Sequence, residues 1–256
     1  MAVNNSKVKS VKTKSRPKWN EDSPRLVLYA DFMGFKARVT SSTHEELKGL
    51  LLSFNEAFHN RIQPLQMGGY LKFVQFSDSI LVVVNGTDSK MFNLITKAAI
   101  CLMQEALRIN FGIKGVIAQG VFSFDESIGL YFGRPLVDAY ELHEQLKYYG
   151  IVVHHSAENT VKNNIDSNNP YSKKEVFIEK GKVGHYHLCW NLVDTHLAAK
   201  DITPLCNSWL DSIEETVSGH PRQYIDRSRE VLLNDSKEFK KGKEKDMDND
   251  EGETVK

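Results

Sequence analysis

Two aspartates stand where metal chemistry would need them. Asp31 lies in the run Tyr-Ala-Asp-Phe-Met-Gly-Phe (residues 29–35) and Asp78 in Phe-Ser-Asp-Ser (residues 76–79), each beside the end of a β-rich stretch. Either one alone would serve as an ordinary turn or cap residue. Brought together at one sheet edge, two carboxylates repel unless a cation joins them. Hard oxygen donors with few other protein ligands suit Mg2+, which keeps waters and completes its shell with substrate phosphates. Gly34 would let the loop at residues 32–35 approach such phosphates and aim backbone N–H groups at them.

Other site signatures are missing. The chain has no GxxxxGK[ST], no GxGxxG after a strand and no GxSxG turn, which argues against P-loop, dinucleotide and serine-hydrolase chemistry. No histidine pair reads HExxH; His154/His155 and His185/His187 read as structural or surface residues. Cys101, Cys189 and Cys206 are too few and too scattered for a disulfide framework or a zinc knuckle, and read as buried thiols. Across 256 residues, 33 Lys+Arg balance 33 Asp+Glu, so no net field draws the body onto nucleic acid. The longest apolar run is residues 80–84, far short of the roughly 20 needed to span a bilayer, and no apolar signal core opens the chain. The expectation is a cytoplasmic protein with neither nucleic acid nor membrane as partner.

The elements that must position the aspartates follow from periodicity. Residues 25–30 read as a buried strand, and residues 43–62 place Leu47, Leu50, Leu51, Phe54 and Phe58 at helical spacing behind a possible N-cap, Thr43. Residues 70–76 and 80–84 form a hairpin with Asp78 at its tip. A second amphipathic helix spans 88–110, a strand 112–122, a proline-opened helix 135–149 and a short strand 151–154. A late hairpin (175–179 and 185–190) and two helices (205–217 and 224–239) complete the body. This predicts an α/β (α+β) fold with a ferredoxin-like βαββαβ core, an appended β-hairpin and C-terminal helices. In that topology the first and third strands are neighbours, which would bring Asp31 to Asp78. Residues 1–24 are expected as a disordered basic tail, 25–195 as the catalytic domain, 196–240 as a helical extension and 241–256 as a disordered charged tail.

Four segments, ADFMGF (30–35), FSDS (76–79), IKGVIAQG (113–120) and GRPLVDAYELHE (133–144), resemble the class III nucleotidyl cyclase catalytic domain over about residues 25–192. The AYEL variant and the single-domain build are most similar to the bacterial pyrimidine cyclases of Pycsar antiphage defence. The resemblance implies a head-to-tail homodimer with active sites in the cleft between protomers. It also implies two Mg2+ or Mn2+ ions held by Asp31 and Asp78, with Phe32 adding its backbone carbonyl and Gly34 and Phe35 lining the substrate loop. The product would be a 3′,5′-cyclic nucleotide plus pyrophosphate.

Departures from the family bear on specificity. Where purine cyclases carry an adenine-reading lysine and aspartate, this chain has Val74 and Leu130, an apolar pair that cannot read adenine's donor and acceptor pattern. Where the family has asparagine and a transition-state arginine, the chain has Val137 and Glu141. Candidates for the missing cation are Arg134, Lys180 and Lys182, the last two in EKGKVG, which resembles the family's VKGKG. Tyr29, Phe73 and Phe76 are candidate walls of a base pocket. The resulting reading is a cyclase that turns CTP or UTP into cyclic CMP or cyclic UMP, a second messenger for a separate antiphage effector. It leans to CTP because Glu141 or Asp138 could accept from cytosine's amino group. A non-catalytic cyclase-like sensor and another two-metal phosphoryl-transfer enzyme are the alternatives.

Overall fold

In the computed structural model, residues 18–19, 21–65, 69–165, 177–178, 183–194 and 200–252 are described. Strand alternation in β1 (Ser23–Met33) sets the two faces of the molecule. Leu26, Leu28, Ala30 and Phe32 enter the main core, whereas Val27, Tyr29 and Asp31 face the other side. The chain continues through α1 (Phe35–Ser41), α2 (His44–Ile62), a 3-10 turn (Gln63–Leu65), β2 (Leu71–Phe76), β3 (Ser79–Val84), α3 (Ser89–Arg108) and β4 (Gly112–Asp125). There follow β5 (Leu130–Gly133), α4 (Arg134–Gln145), β6 (Gly150–Val153), α5 (His155–Ile165), β7 (Phe177–Ile178), β8 (His187–Leu188), α6 (Thr203–Glu214) and α7 (His220–Gly252).

The strands lie in the order β2-β3-β1-β4-β6-β8-β7, with β5 paired to β4. Every pair is antiparallel except β4 with β6. The first four strands give the expected ferredoxin-like order, and the appended hairpin is the short β7/β8 pair.

Local chemistry explains the helices that cover the main face. Thr43 caps α2 in a full capping box: its hydroxyl accepts from the Glu46 amide and the Glu46 carboxylate accepts from the Thr43 amide. Asp88 caps α3 by accepting from the Lys90 and Met91 amides. Phe54, Phe58 and Ile62 from α2 and Ile95, Ala99 and Leu102 from α3 are buried against the sheet, each large side chain contributing roughly 1.5–3 kcal/mol. Phe32 anchors an aromatic group with Phe54 and Phe111, at ring-centroid distances of 5.0 and 4.9 Å.

Several expectations need correction. β1 extends past residue 30 because its ladder continues through Asp31↔Ser79 and Met33↔Gly112, so Asp31 lies within the strand. The substrate loop expected at 32–35 is therefore the last residues of β1, one left-handed glycine (Gly34, φ 78°) and the first residue of α1. β5 and α5 went unforeseen. β5 has only four residues, and α5 buries Ala157 and Val161 with few other apolar groups, too thin a stripe to read as periodic. α4 ends at Gln145 because Leu146 turns extended, with φ −70° and ψ 134°.

Residues on both sides of the 25–195 stretch pack against it. Within the stretch assigned to the basic tail, Trp19 packs on Phe124 at 5.2 Å and donates its indole N–H to the Gly69 carbonyl. The wholly buried Arg25 stacks on the same indole and donates to the carbonyls of Phe122, Trp19 and Glu21. α7 spans His220–Gly252, and the lysines and glutamates frequent in its sequence are strong helix formers. The helical extension shares the main core through Cys206, Trp209, Leu210, Ile225 and Leu232. Among the described residues, no helix is long and apolar enough to cross a membrane.

Candidate active site

The β1 register brings the two aspartates together. Asp31 lies opposite Ser79 on β3 and Lys114 on β4. Asp78 immediately precedes Ser79 in the two-residue turn, and the Phe32 amide donates to the Asp78 carbonyl at 3.0 Å. Ser77, the first turn residue, has φ 57°, and the second does not share the positive angle, the pattern of a type II′ hairpin turn. The aspartates therefore occupy adjoining register positions at one end of the sheet.

Their surroundings differ in polarity. Tyr29, on the same face as Asp31, donates its hydroxyl to Asp31 Oδ1 at 3.0 Å and shares a hydrogen bond with Ser79 Oγ at 3.1 Å. Burial, above all, pushes that phenol well up, so it stays protonated as a donor. Asp31 Oδ2 faces His143 Nε2 at 3.7 Å, beyond hydrogen-bond reach. The His143 ring is 2 % exposed; its Nδ1 lies 3.3 Å from Glu144 Oε1, and its Nε2 has no hydrogen-bond partner among the described residues. Burial first, then the nearby Lys114 cation, lowers its pKa to about 4, so the imidazole is neutral at neutral pH. Lys114 is itself buried, and desolvation lowers its pKa against the opposing pull of Glu144 and Asp31.

The donor chemistry fits a divalent cation. Asp31 Oδ2 and the half-buried Asp78 carboxylate make no hydrogen bond among the described residues, leaving hard oxygen donors available at one sheet end. Tyr29 fixes Asp31 in the way hydrogen-bond partners orient metal-ligating carboxylates.

The remaining sequence candidates fall in different places. Gly34 is exposed and Phe35 is buried beside Phe32. Arg134, at the start of α4, is largely exposed and paired with the buried Asp138. Asp138 is thus committed to Arg134, with His154 at 4.0 Å from its other oxygen. Lys180 and Lys182 lie outside the described residues. Val74 sits opposite Leu81 on the face of Tyr29, and Leu130 is 45 % exposed on β5. Of the three aromatics offered for a base pocket, Phe73 turns into the main core against Phe58 at 4.7 Å, because strand alternation puts it on the face opposite Val74. Tyr29 is occupied with Asp31, and Phe76 is 82 % exposed in the register row of Ser79 and Asp31.

Sequence reasoning missed His143 and Lys114 as neighbours of Asp31. The signal for His143 was its place on the buried stripe of α4 with Pro135 and Ala139. For Lys114 it was a lysine inside an otherwise apolar strand.

No protein-family model matches the chain, and no curated protein matches it in sequence. Solved structures do resemble it. The adenylyl cyclase CyaB from P. aeruginosa is 15 % identical, with 65 % of this chain and 92 % of that one covered and a TM-score of 0.46. The monomeric guanylyl cyclase domain of the RhoGC fusion protein from the fungus Blastocladiella emersonii is 13 % identical, with 68 % and 98 % covered and a TM-score of 0.43. A class III adenylyl cyclase-like ATP-binding protein from Pseudomonas aeruginosa is also 13 % identical, with 73 % and 40 % covered and a TM-score of 0.42. Identities this low transfer no residue roles, so the chemistry has to come from the side chains themselves.

Proposed function

We propose that the chain is a metal-dependent nucleotide cyclase acting as a homodimer on a pyrimidine nucleoside triphosphate, CTP ahead of UTP, to give the 3′,5′-cyclic nucleotide and pyrophosphate. The observation that carries the reading is the placement of Asp31 and Asp78 at adjoining register positions with open carboxylate oxygens, in a chain whose four segments follow the cyclase motif order. Asp31 and Asp78, with the Phe32 carbonyl, would hold two Mg2+ or Mn2+ ions, which when bound lower the pKa of the ribose 3′-hydroxyl and neutralise charge on the triphosphate.

The chain's own groups do the rest. Tyr29 orients Asp31, and the neutral His143 ring and the buried Lys114 make a dry wall behind it. Dry walls strengthen the electrostatics of a site. Gly34 and Phe35 border the position of the phosphates. Arg134, released from Asp138, and Lys180 and Lys182 are the cations available for transition-state charge, a role whose loss costs roughly two to three powers of ten in rate. Apolar Val74 and Leu130 favour a base smaller than adenine. Val137 and Tyr140 expose apolar surface on α4, which supports a partner copy covering this helix. The product would act as a second messenger on a separate effector in antiphage defence, a role that rests on the Pycsar resemblance alone.

Val137 and Glu141 support one other reading, a nucleotide-binding dimer without turnover. Incubating the full chain with each of the four nucleoside triphosphates and Mn2+, followed by mass spectrometry, separates the two. Cyclic CMP or cyclic UMP is expected. Product from ATP or GTP alone would reject the pyrimidine assignment, and binding without product would favour the sensor.

A further inference from the structure

Three buried side chains that play no part in the cleft meet near the far side of the sheet. His187 on β8 and Cys189 two residues later share a face by strand alternation, and α7 brings Asp235, one turn past Val231, onto them. Donor atoms of the three lie within 4.8 Å of one another. All three residues are almost wholly buried, at 1 %, 0 % and 1 % exposure. Both carboxylate oxygens of Asp235 stand 2.9 Å from His187 Nε2.

Two further buried polar atoms lie on residues at or near this cluster. The wholly buried Tyr148 hydroxyl and His187 Nδ1 have no hydrogen-bond partner among the described residues, an expensive condition in a dry interior. Burial, and after it the proximity of Asp235 and Cys189, pushes the Tyr148 phenol far up. Its hydroxyl thus remains a protonated and unused polar group.

We propose that His187, Cys189 and Asp235 form a structural zinc site that fastens α7 to the edge of the sheet. An imidazole nitrogen, a thiolate and a carboxylate are a borderline-soft donor set suited to Zn2+. Bond lengths of about 2.0–2.3 Å in a tetrahedron set donor atoms roughly 3.3–3.6 Å apart, so His187 Nε2 and Asp235, now 2.9 Å apart, would separate slightly within a set whose donors all lie within 4.8 Å. The fourth position would fall to a water. As zinc binds, the Cys189 thiol gives its proton to solvent, and the His187 proton shared with Asp235 leaves Nε2 so that the neutral imidazole carries its proton on Nδ1. A bound ion would replace the His187–Asp235 hydrogen bond with a link between residues 48 apart in sequence. β8 is three strands from β1, roughly 14 Å at the usual strand spacing, so this site is separate from the Asp31 and Asp78 carboxylates and stands whether or not the chain cyclises nucleotides.

Zinc content of the untagged full chain tests this, measured in an Asp31→Asn/Asp78→Asn background so that metal at the carboxylate pair is not counted. About one zinc per chain is expected, falling at least about tenfold in Cys189→Ser and Asp235→Asn and unchanged in Cys101→Ser, with circular dichroism reporting the fold of each. Cobalt loading of the same chain with Cys189 intact should give a thiolate-to-cobalt charge-transfer band, a readout that does not depend on whether the Cys189 or Asp235 variants fold. No stoichiometric zinc together with no such band, or zinc retained in a folded Cys189→Ser, would overturn the proposal.

Discussion

Tyr29 bridges Asp31 and Ser79, and so links the two strands whose ends carry the aspartates. Replacing it with Phe removes the donor and keeps the ring packed against Tyr140 and His143. Groups that orient a metal ligand typically contribute 10- to 100-fold. Tyr29→Phe should therefore lower turnover about tenfold or more and raise the Mn2+ concentration needed for half-maximal rate, with the melting temperature little changed. An unaltered metal dependence would show that the phenol only fills space. At this scale the sequence drew attention to the two aspartates and was silent about the residues around them. Asp31 and Asp78 stand out only as a pair, because the topology sets their two strand ends side by side, whereas Tyr29, Lys114 and His143 look like ordinary strand and helix residues until the structure puts them beside Asp31.

The joint between β5 and α4 is the element most sensitive to a small change. Gly133 has φ 156°, and a Cβ there would lie 2.5 Å from the Val121 carbonyl oxygen and 2.9 Å from the Phe122 ring. A backbone oxygen cannot step aside, so Gly133→Ala should lower the melting temperature and disturb α4, which carries His143 toward Asp31. Differential scanning calorimetry checks the first effect and nucleotide turnover the second; a variant matching the parent in both would show that β4 and β5 can separate there freely. The elements themselves were legible in proportion to their apolar stripes. α3, buried along most of its length, and the Asp78 hairpin were clear. The four-residue β5 and the sparsely apolar α5 were not.

For the whole molecule, the proposed function requires a second copy over the face bearing Val137 and Tyr140, each 50 % exposed on α4. Val137→Asp introduces a charge into that surface without touching the core. It should halve the mass seen by light scattering and remove turnover together; a monomeric variant that keeps full activity would place the complete site within one chain. The core topology, which sets Asp31 against the hairpin, could be read from element order, while the face on which α6 and α7 settle could not, because that depends on long-range packing into the main core.

The most direct measurement of the central claim is Mn2+-dependent cyclic nucleotide formation by Asp31→Asn and by Asp78→Asn, each compared with the unaltered chain at matched dimer content. Both changes keep side-chain size and remove the anionic oxygen donor. Joint metal binding at the sheet edge predicts that either one suppresses product by more than about a hundredfold while the dimer survives. Full activity in either variant would contradict it.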